Sequence, residues 1–226
     1  KGSSQVQYGP YTTGGAINMI STEVPDTFGI FLTSSYGSFN SGRLHTQLGD
    51  SKKNFGYSVE YLNYNSNGFK ELDNGENTGF DKNDFVAKFK VNTNPEAKIG
   101  HAFELKFQYA DETSNETYLG LTEAEYYELS AERQRRYKFM TKEAWVTQQD
   151  EMNTEHIQFM GTHTLSLSPN ARITSTAYMN DFNRNWYKID YLIVNGQRES
   201  ISNIIQNPDT LSNYYDIVSG TANTGT

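Results

Sequence analysis

The chain has 226 residues, a formal charge of −8 and no cysteine. The length admits one or two domains, the acidic balance argues against a nucleic-acid partner, which calls for a basic face, and the lack of cysteine removes disulfide frameworks and thiolate metal sites. Hydrophobic residues are 35 %, and the aromatics dominate them with 16 Tyr and 13 Phe, a composition that favours strands over helices. No apolar run approaches the roughly 20 residues of a transmembrane helix. That test is blind to membrane β-barrels, whose apolar face is hidden in alternation.

The chain starts with a glycine-rich turn region, "YGPYTTGGAINMIST", Tyr8 to Thr22. Gly14 and Gly15 allow a backbone turn where a Cβ would clash, Pro10 fixes one φ angle, and the apolar run that follows reads as a strand. No strand-to-helix transition or G-K-[ST] follows, so these glycines are not a phosphate cradle.

Strands are then predicted at Thr27 to Tyr36 and at Arg43 to Gly49. In "NFGYSVEYLNYN", Phe55, Tyr57, Val59 and Tyr61 oppose Gly56, Ser58 and Glu60, which makes one face apolar and the other polar. The split recurs in "DFVAKFKVN", where Phe85, Ala87, Phe89 and Val91 oppose Lys88 and Lys90. It recurs again in "HAFELKFQY", where Phe103, Leu105, Phe107 and Tyr109 oppose Glu104, Lys106 and Gln108. A sixth strand is predicted from Glu155 to Leu167 and a seventh from about Arg172 to Trp186.

Alternation alone fits any half-buried antiparallel sheet. The connections add a second regularity. "DSKKN", "TNPEAKIG" and "SPNA" follow the second, fourth and sixth strands and are short. Those after the third and fifth are long, as is the tail from about Lys188; only "GSFNSG", after the first, is brief on that side. Antiparallel strands place every second connection at the same end, so tight turns collect at one end and large loops at the other, as in outer-membrane barrels.

The opening stretch "KGSSQVQYGPYTTGGAINMIS" resembles the end of the plug domain of TonB-dependent outer-membrane receptors. The pattern is carried by Gly2, Tyr8, Gly9, Gly14, Gly15, Ile17, Asn18 and Ser21, with Thr12 where many members have a smaller residue. "YGP", and more weakly "YADETSNETYLGLTEAEYYELSAERQRRY", resemble the ferric dicitrate branch. The resemblance implies an all-β chain: residues 1–24 as the C-terminal end of a plug, then residues 25–226 as about seven strands of a 22-stranded transmembrane barrel with long extracellular loops. It implies a receptor, not an enzyme, in the outer membrane of a Gram-negative bacterium. Its partners would be a ferric chelate, outer-membrane lipid and lipopolysaccharide, and a TonB complex reached through parts of the receptor not present here. No catalytic residue or cofactor is implied. Other cargoes of the family, cobalamin, other metals and glycans, stay open.

The candidate ligand contacts are Arg133, Arg135 and Arg136, which with Lys138 form the densest positive cluster. Guanidinium groups make bidentate, charge-assisted bonds to carboxylate oxygens of an anionic chelate. Two other readings of the same stretch are a surface helix in which Glu132 pairs with Arg135 or Arg136, and a set of contacts to lipopolysaccharide phosphates. His45, His101, His156 and His163 show no metal-ligand spacing, and His156 and His163 differ in parity, which places them on opposite faces. Glu123 with Glu125, and Asp150 with Glu151, read as solvated loop carboxylates. The alternative function is a β-domain that binds glycan through aromatics such as Trp145, Tyr126 and Tyr127.

Overall fold

The computed structural model describes residues 21–69, 77–93, 97–115, 151–188, 190–207 and 209–214. Seven strands form one antiparallel sheet in chain order: β1 Gly29–Gly37, β2 Ser41–Lys52, β3 Phe55–Ser66, β4 Phe80–Asn92, β5 Gly100–Asn115, β6 Glu151–Ser168 and β7 Ala171–Tyr187. All seven expected strands are present. Four are markedly longer than alternation indicated: β2 runs from Ser41 to Lys52 and takes in most of the expected turn "DSKKN", β4 starts at Phe80, β5 runs on to Asn115, and β6 starts at Glu151, which moves Glu151 from the expected loop into a strand.

The connections sort by end. β2 joins β3 through Lys53 and Asn54, with Lys53 at φ 39°, and β6 joins β7 through Pro169 and Asn170. Residues 93–99 join β4 to β5 at that same end. At the other end β1 is joined to β2, β3 to β4 and β5 to β6, and β7 ends.

That last stretch, expected as a connection, contains a hairpin of its own. β8 Tyr191–Val194 pairs with β9 Gln197–Ser200 across Asn195 and Gly196, both at positive φ (53° and 79°). The Asn-Gly pair is a strong signal for such a turn. The short helix α1, Ile201–Gln206, follows; the Ser200 hydroxyl accepts from the Asn203 N–H as its N-cap. Leu192, Ile201 and Ile204 are buried there.

The seven-stranded sheet has no conventional core. Among its described residues Ala87 is the only buried apolar one, and large side chains of one face stand in the open: Leu105 is 61 % exposed, Ile173 53 %, Phe103 50 % and Phe159 49 %. Register brings them into rows. Val59, Ala87, Phe107, Phe159 and Met179 face each other across five strands, and Phe107 packs on Phe159 with ring centroids 4.9 Å apart.

This apolar band is oblique to the strands. Its edge on the long-connection side passes from Tyr36, level with Asn65, to Met179, level with Val59, a drop of 65 − 59 = 6 residues over the six steps from β1 to β7. Its opposite edge passes from Ile30, level with Val59, to Ile173, which pairs through Leu165 with His101, two residues beyond the Phe103–Val91–Phe55 row. That edge drops by six residues as well. With ~3.3 Å per residue and ~4.8 Å between strands, the band crosses the sheet at roughly 35°.

Candidate functional site

The other face of the sheet is polar, and its side chains are engaged with one another. The same alternation that exposes Phe89 and Phe107 places Lys88 and Lys106 here. The His45 imidazole lies 2.6 Å from Glu60, Gln108 donates to both Asp84 carboxylate oxygens at 3.1 Å, and the Lys106 ammonium donates to Gln158 at 2.9 Å. His156 meets Asn180 on this face.

Residues 21–25, which precede β1, lie against this surface. Lys88 is 5 % exposed, and its ammonium donates to the carbonyl oxygens of Thr22 at 2.7 Å and Ser21 at 3.3 Å. Ser51 donates to the Pro25 carbonyl at 2.6 Å. Two glycines make room: a Cβ on Gly49 would meet the Pro25 ring at 2.7 Å, and one on Gly56 would meet Val24 at 2.9 Å. Neither approach tolerates a side chain.

Towards the long-connection end the polar face becomes aromatic and cationic. Tyr64 packs edge-on against Phe80 at 4.9 Å, the Arg184 guanidinium lies 4.7 Å over the Trp186 ring, and Lys82 reaches Glu112 at 3.4 Å. Arg43 shares the Tyr64 row. Over β1–β7 this face carries seven cations, Arg43, Lys82, Lys88, Lys90, Lys106, Arg172 and Arg184, and four carboxylates, Glu60, Asp84, Glu104 and Glu112, for a net of +3. The opposite face carries Asp50, Asp81, Asp111, Glu151, Glu155 and Asp181 against Lys52, a net of −5. The overall charge of −8 hides this segregation. A surface of one sign concentrates ligands of the other.

The histidines only partly follow expectation. His156 and His163 do lie on opposite faces, as parity required. His101 and His163, which no spacing links in the sequence, meet on the apolar face: the Nδ1 of His101 lies 3.0 Å from the Nε2 of His163, the rings are within 5° of parallel, and Phe103 stacks on His163 at 4.4 Å. Each imidazole satisfies the other among apolar neighbours, a pairing that 62 residues of separation hid from the sequence. Among the described residues no group of three or more His, Cys, Asp or Glu could hold a metal ion.

Arg133, Arg135 and Arg136, the aromatics Tyr126, Tyr127 and Trp145, and the motif residues Tyr8, Gly9, Gly14, Gly15 and Asn18 lie outside the described residues; Ser21 is the one motif position within them. No family model, curated protein or solved structure matches the chain.

Proposed function

We propose that this chain forms part of the wall of a TonB-dependent outer-membrane receptor, the end of a plug followed by seven strands of a transmembrane barrel, and that it takes up a ferric chelate such as ferric citrate or a siderophore. The observation that carries the reading is the exposed apolar band slanted at roughly 35°, because strands of membrane barrels tilt by about 35–45° and a level bilayer therefore crosses them obliquely. Along β6 the band extends ten residue steps, from Leu167 to Ile157. That is ~33 Å of strand and ~27 Å of height after the tilt, close to the ~25 Å apolar belt of such barrels.

The polar face supports the remainder of the reading. Residues 21–25 rest on it, where a plug would enter the lumen, and its net positive charge suits an anionic chelate. The aromatic and cationic set near Tyr64, Lys82, Arg184 and Trp186 lies at the end that carries the long connections, which the barrel reading places outside the cell. Both edge strands, β1 and β7, would pair with further strands of the barrel.

Fractionation of the full-length protein tests the reading. It should sediment with outer membranes, require detergent for extraction and bind ferric citrate or a ferric siderophore. Recovery in the aqueous fraction without detergent would overturn it in favour of a soluble β-domain.

A further inference from the structure

The polar face changes character towards the short-connection end. Beyond Met160 and Tyr178, the residues Thr162, Thr164 and Ser166 of β6 stand opposite Thr176, Thr174 and Arg172 of β7. The Thr162 and Thr176 hydroxyls are 3.3 Å apart, and those of Thr164 and Thr174 3.5 Å. This strip of hydroxyls ends at a cleft of about 670 Å³ whose lining includes Lys98, Gly100, Ser166, Ser168, Asn170 and Arg172. Gly100, Ser166 and Arg172 form one row across β5, β6 and β7, and the glycine adds no side chain to fill it. A bulge shapes the rim: Ser166 pairs with Arg172 but Ser168 with Ala171, so Leu167 is an extra residue, and such a residue bends its strand and re-aims its neighbours.

Two cations, Lys98 and Arg172, border the cleft from separate segments of the chain, and neither is in an ion pair among the described residues. No carboxylate is in the described lining. On this face of the sheet the nearest in register is Glu104, four residues along β5 from Gly100, ~13 Å away, and itself opposite Lys90. Other cations of the face are engaged: Lys82 with Glu112, Lys106 with Gln158, and Lys88 with the Ser21 and Thr22 carbonyls. Lys98 and Arg172 repel each other, and an anion between them relieves that repulsion. The guanidinium offers carboxylate oxygens a bidentate fork, and the serine hydroxyls and the Asn170 amide supply neutral donors beside it. Two cations on separate segments favour a ligand with two anionic groups over one with a single carboxylate.

We infer that this cleft is a second binding site for the polycarboxylate chelate, at the opposite end of the polar face from Tyr64, Lys82, Arg184 and Trp186. The inference rests on the uptake reading, which names the cargo and makes this end the periplasmic one. The chelate is held here by its carboxylates as it leaves the wall, after passing a strip whose hydroxyls carry no charge to trap it.

The test is a calorimetric titration of ferric citrate into the full-length protein, purified in mild detergent at low ionic strength, where exposed charges are least screened. Wild type should show two classes of site. Lys98→Gln/Arg172→Gln should weaken one class about tenfold and spare the other, and Arg184→Gln should do the reverse. Arg172→Gln alone should give a smaller loss in the same class as the double variant, and it serves if the double variant folds poorly. Lys52→Gln removes a cation at the same end but on the opposite face, and should match wild type. A single class of site in wild type, two intact classes in the double variant, or an equal loss in Lys52→Gln would each overturn the inference. Displacement from the cleft by inorganic phosphate but not by iron-free citrate would make it a phosphate site and overturn the cargo assignment. A protein that binds no ferric citrate at either end, or that needs no detergent, would sink the uptake reading instead.

Discussion

The buried ammonium of Lys88 holds the carbonyls of Ser21 and Thr22, 67 and 66 residues away in the chain, against the polar face of the sheet. A charged donor shared by two backbone acceptors is worth more than a neutral hydrogen bond, and its loss leaves both carbonyls to find new partners. Lys88→Met in the full-length protein should therefore cost about 1.5–3 kcal/mol and speed proteolysis near residue 22, while Lys90→Met, at an exposed position, should stay within ~0.5 kcal/mol. Equal effects in a denaturant titration would show that the anchor carries no stability.

Position on the sheet decides what a charge costs. Phe89→Arg or Phe107→Arg puts a guanidinium into the apolar band, with an expected cost of about 2–4 kcal/mol near mid-bilayer, whereas Lys106→Gln on the polar face should cost little because it keeps a donor for Gln158. Folding into vesicles followed by urea unfolding measures both. If the arginine variants matched Lys106→Gln, lipid would not be what covers the aromatic face.

The two ends of β2 give a direct reading of orientation. Cysteine at Ser38 should be labelled by a membrane-impermeant maleimide on whole cells, and cysteine at Lys52 only after the outer membrane is opened. Lys52 is the better probe of its end than Ser51, whose hydroxyl is occupied by the Pro25 carbonyl. Labelling of Lys52→Cys alone would invert the proposed topology.

Anion recognition can be tested in two separate places. Arg184→Gln removes a guanidinium held over Trp186, and the triple change Arg133→Gln/Arg135→Gln/Arg136→Gln removes the cluster in the longest internal connection. Each should weaken ferric citrate binding about tenfold, ~1.4 kcal/mol, in a titration of the purified receptor, with membrane insertion intact. Unchanged affinity in both would mean that neither region meets the chelate.

What the sequence made legible follows from how far each signal reaches. Phe85, Ala87, Phe89 and Val91 alternate with charges, and a period of two needs no tertiary information, so the centre of each strand of the seven-stranded sheet was readable. The ends of β2, β4, β5 and β6 were under-read for one reason: where Gly42, Asp50, Asn83, Asp111 and Asn153 stand in place of apolar residues, both faces are polar and the period vanishes although the ladder continues. β8 and β9 are too short for a period, and only Asn195-Gly196 marked them. The anchor at Lys88 and the His101–His163 pair join residues more than 60 positions apart, so neither could be read from spacing alone.

The order of the sheet also bears on how it is made. Every strand of the seven pairs only with its chain neighbours, so the wall can grow one hairpin at a time in the order of synthesis, without waiting for a distant partner. The demanding step is β5 with β6, which are separated by 35 residues of chain against three between β1 and β2. Loop-closure entropy makes that step dearer by only about 2 kcal/mol, since it grows as ~(3/2)RT ln n. The β5–β6 ladder runs through sixteen pairs, from Gly100↔Ser166 to Asn115↔Glu151. So long a ladder readily offsets a cost that rises only logarithmically, which leaves the length and sequence of 116–150 free to vary while the wall beneath keeps its register.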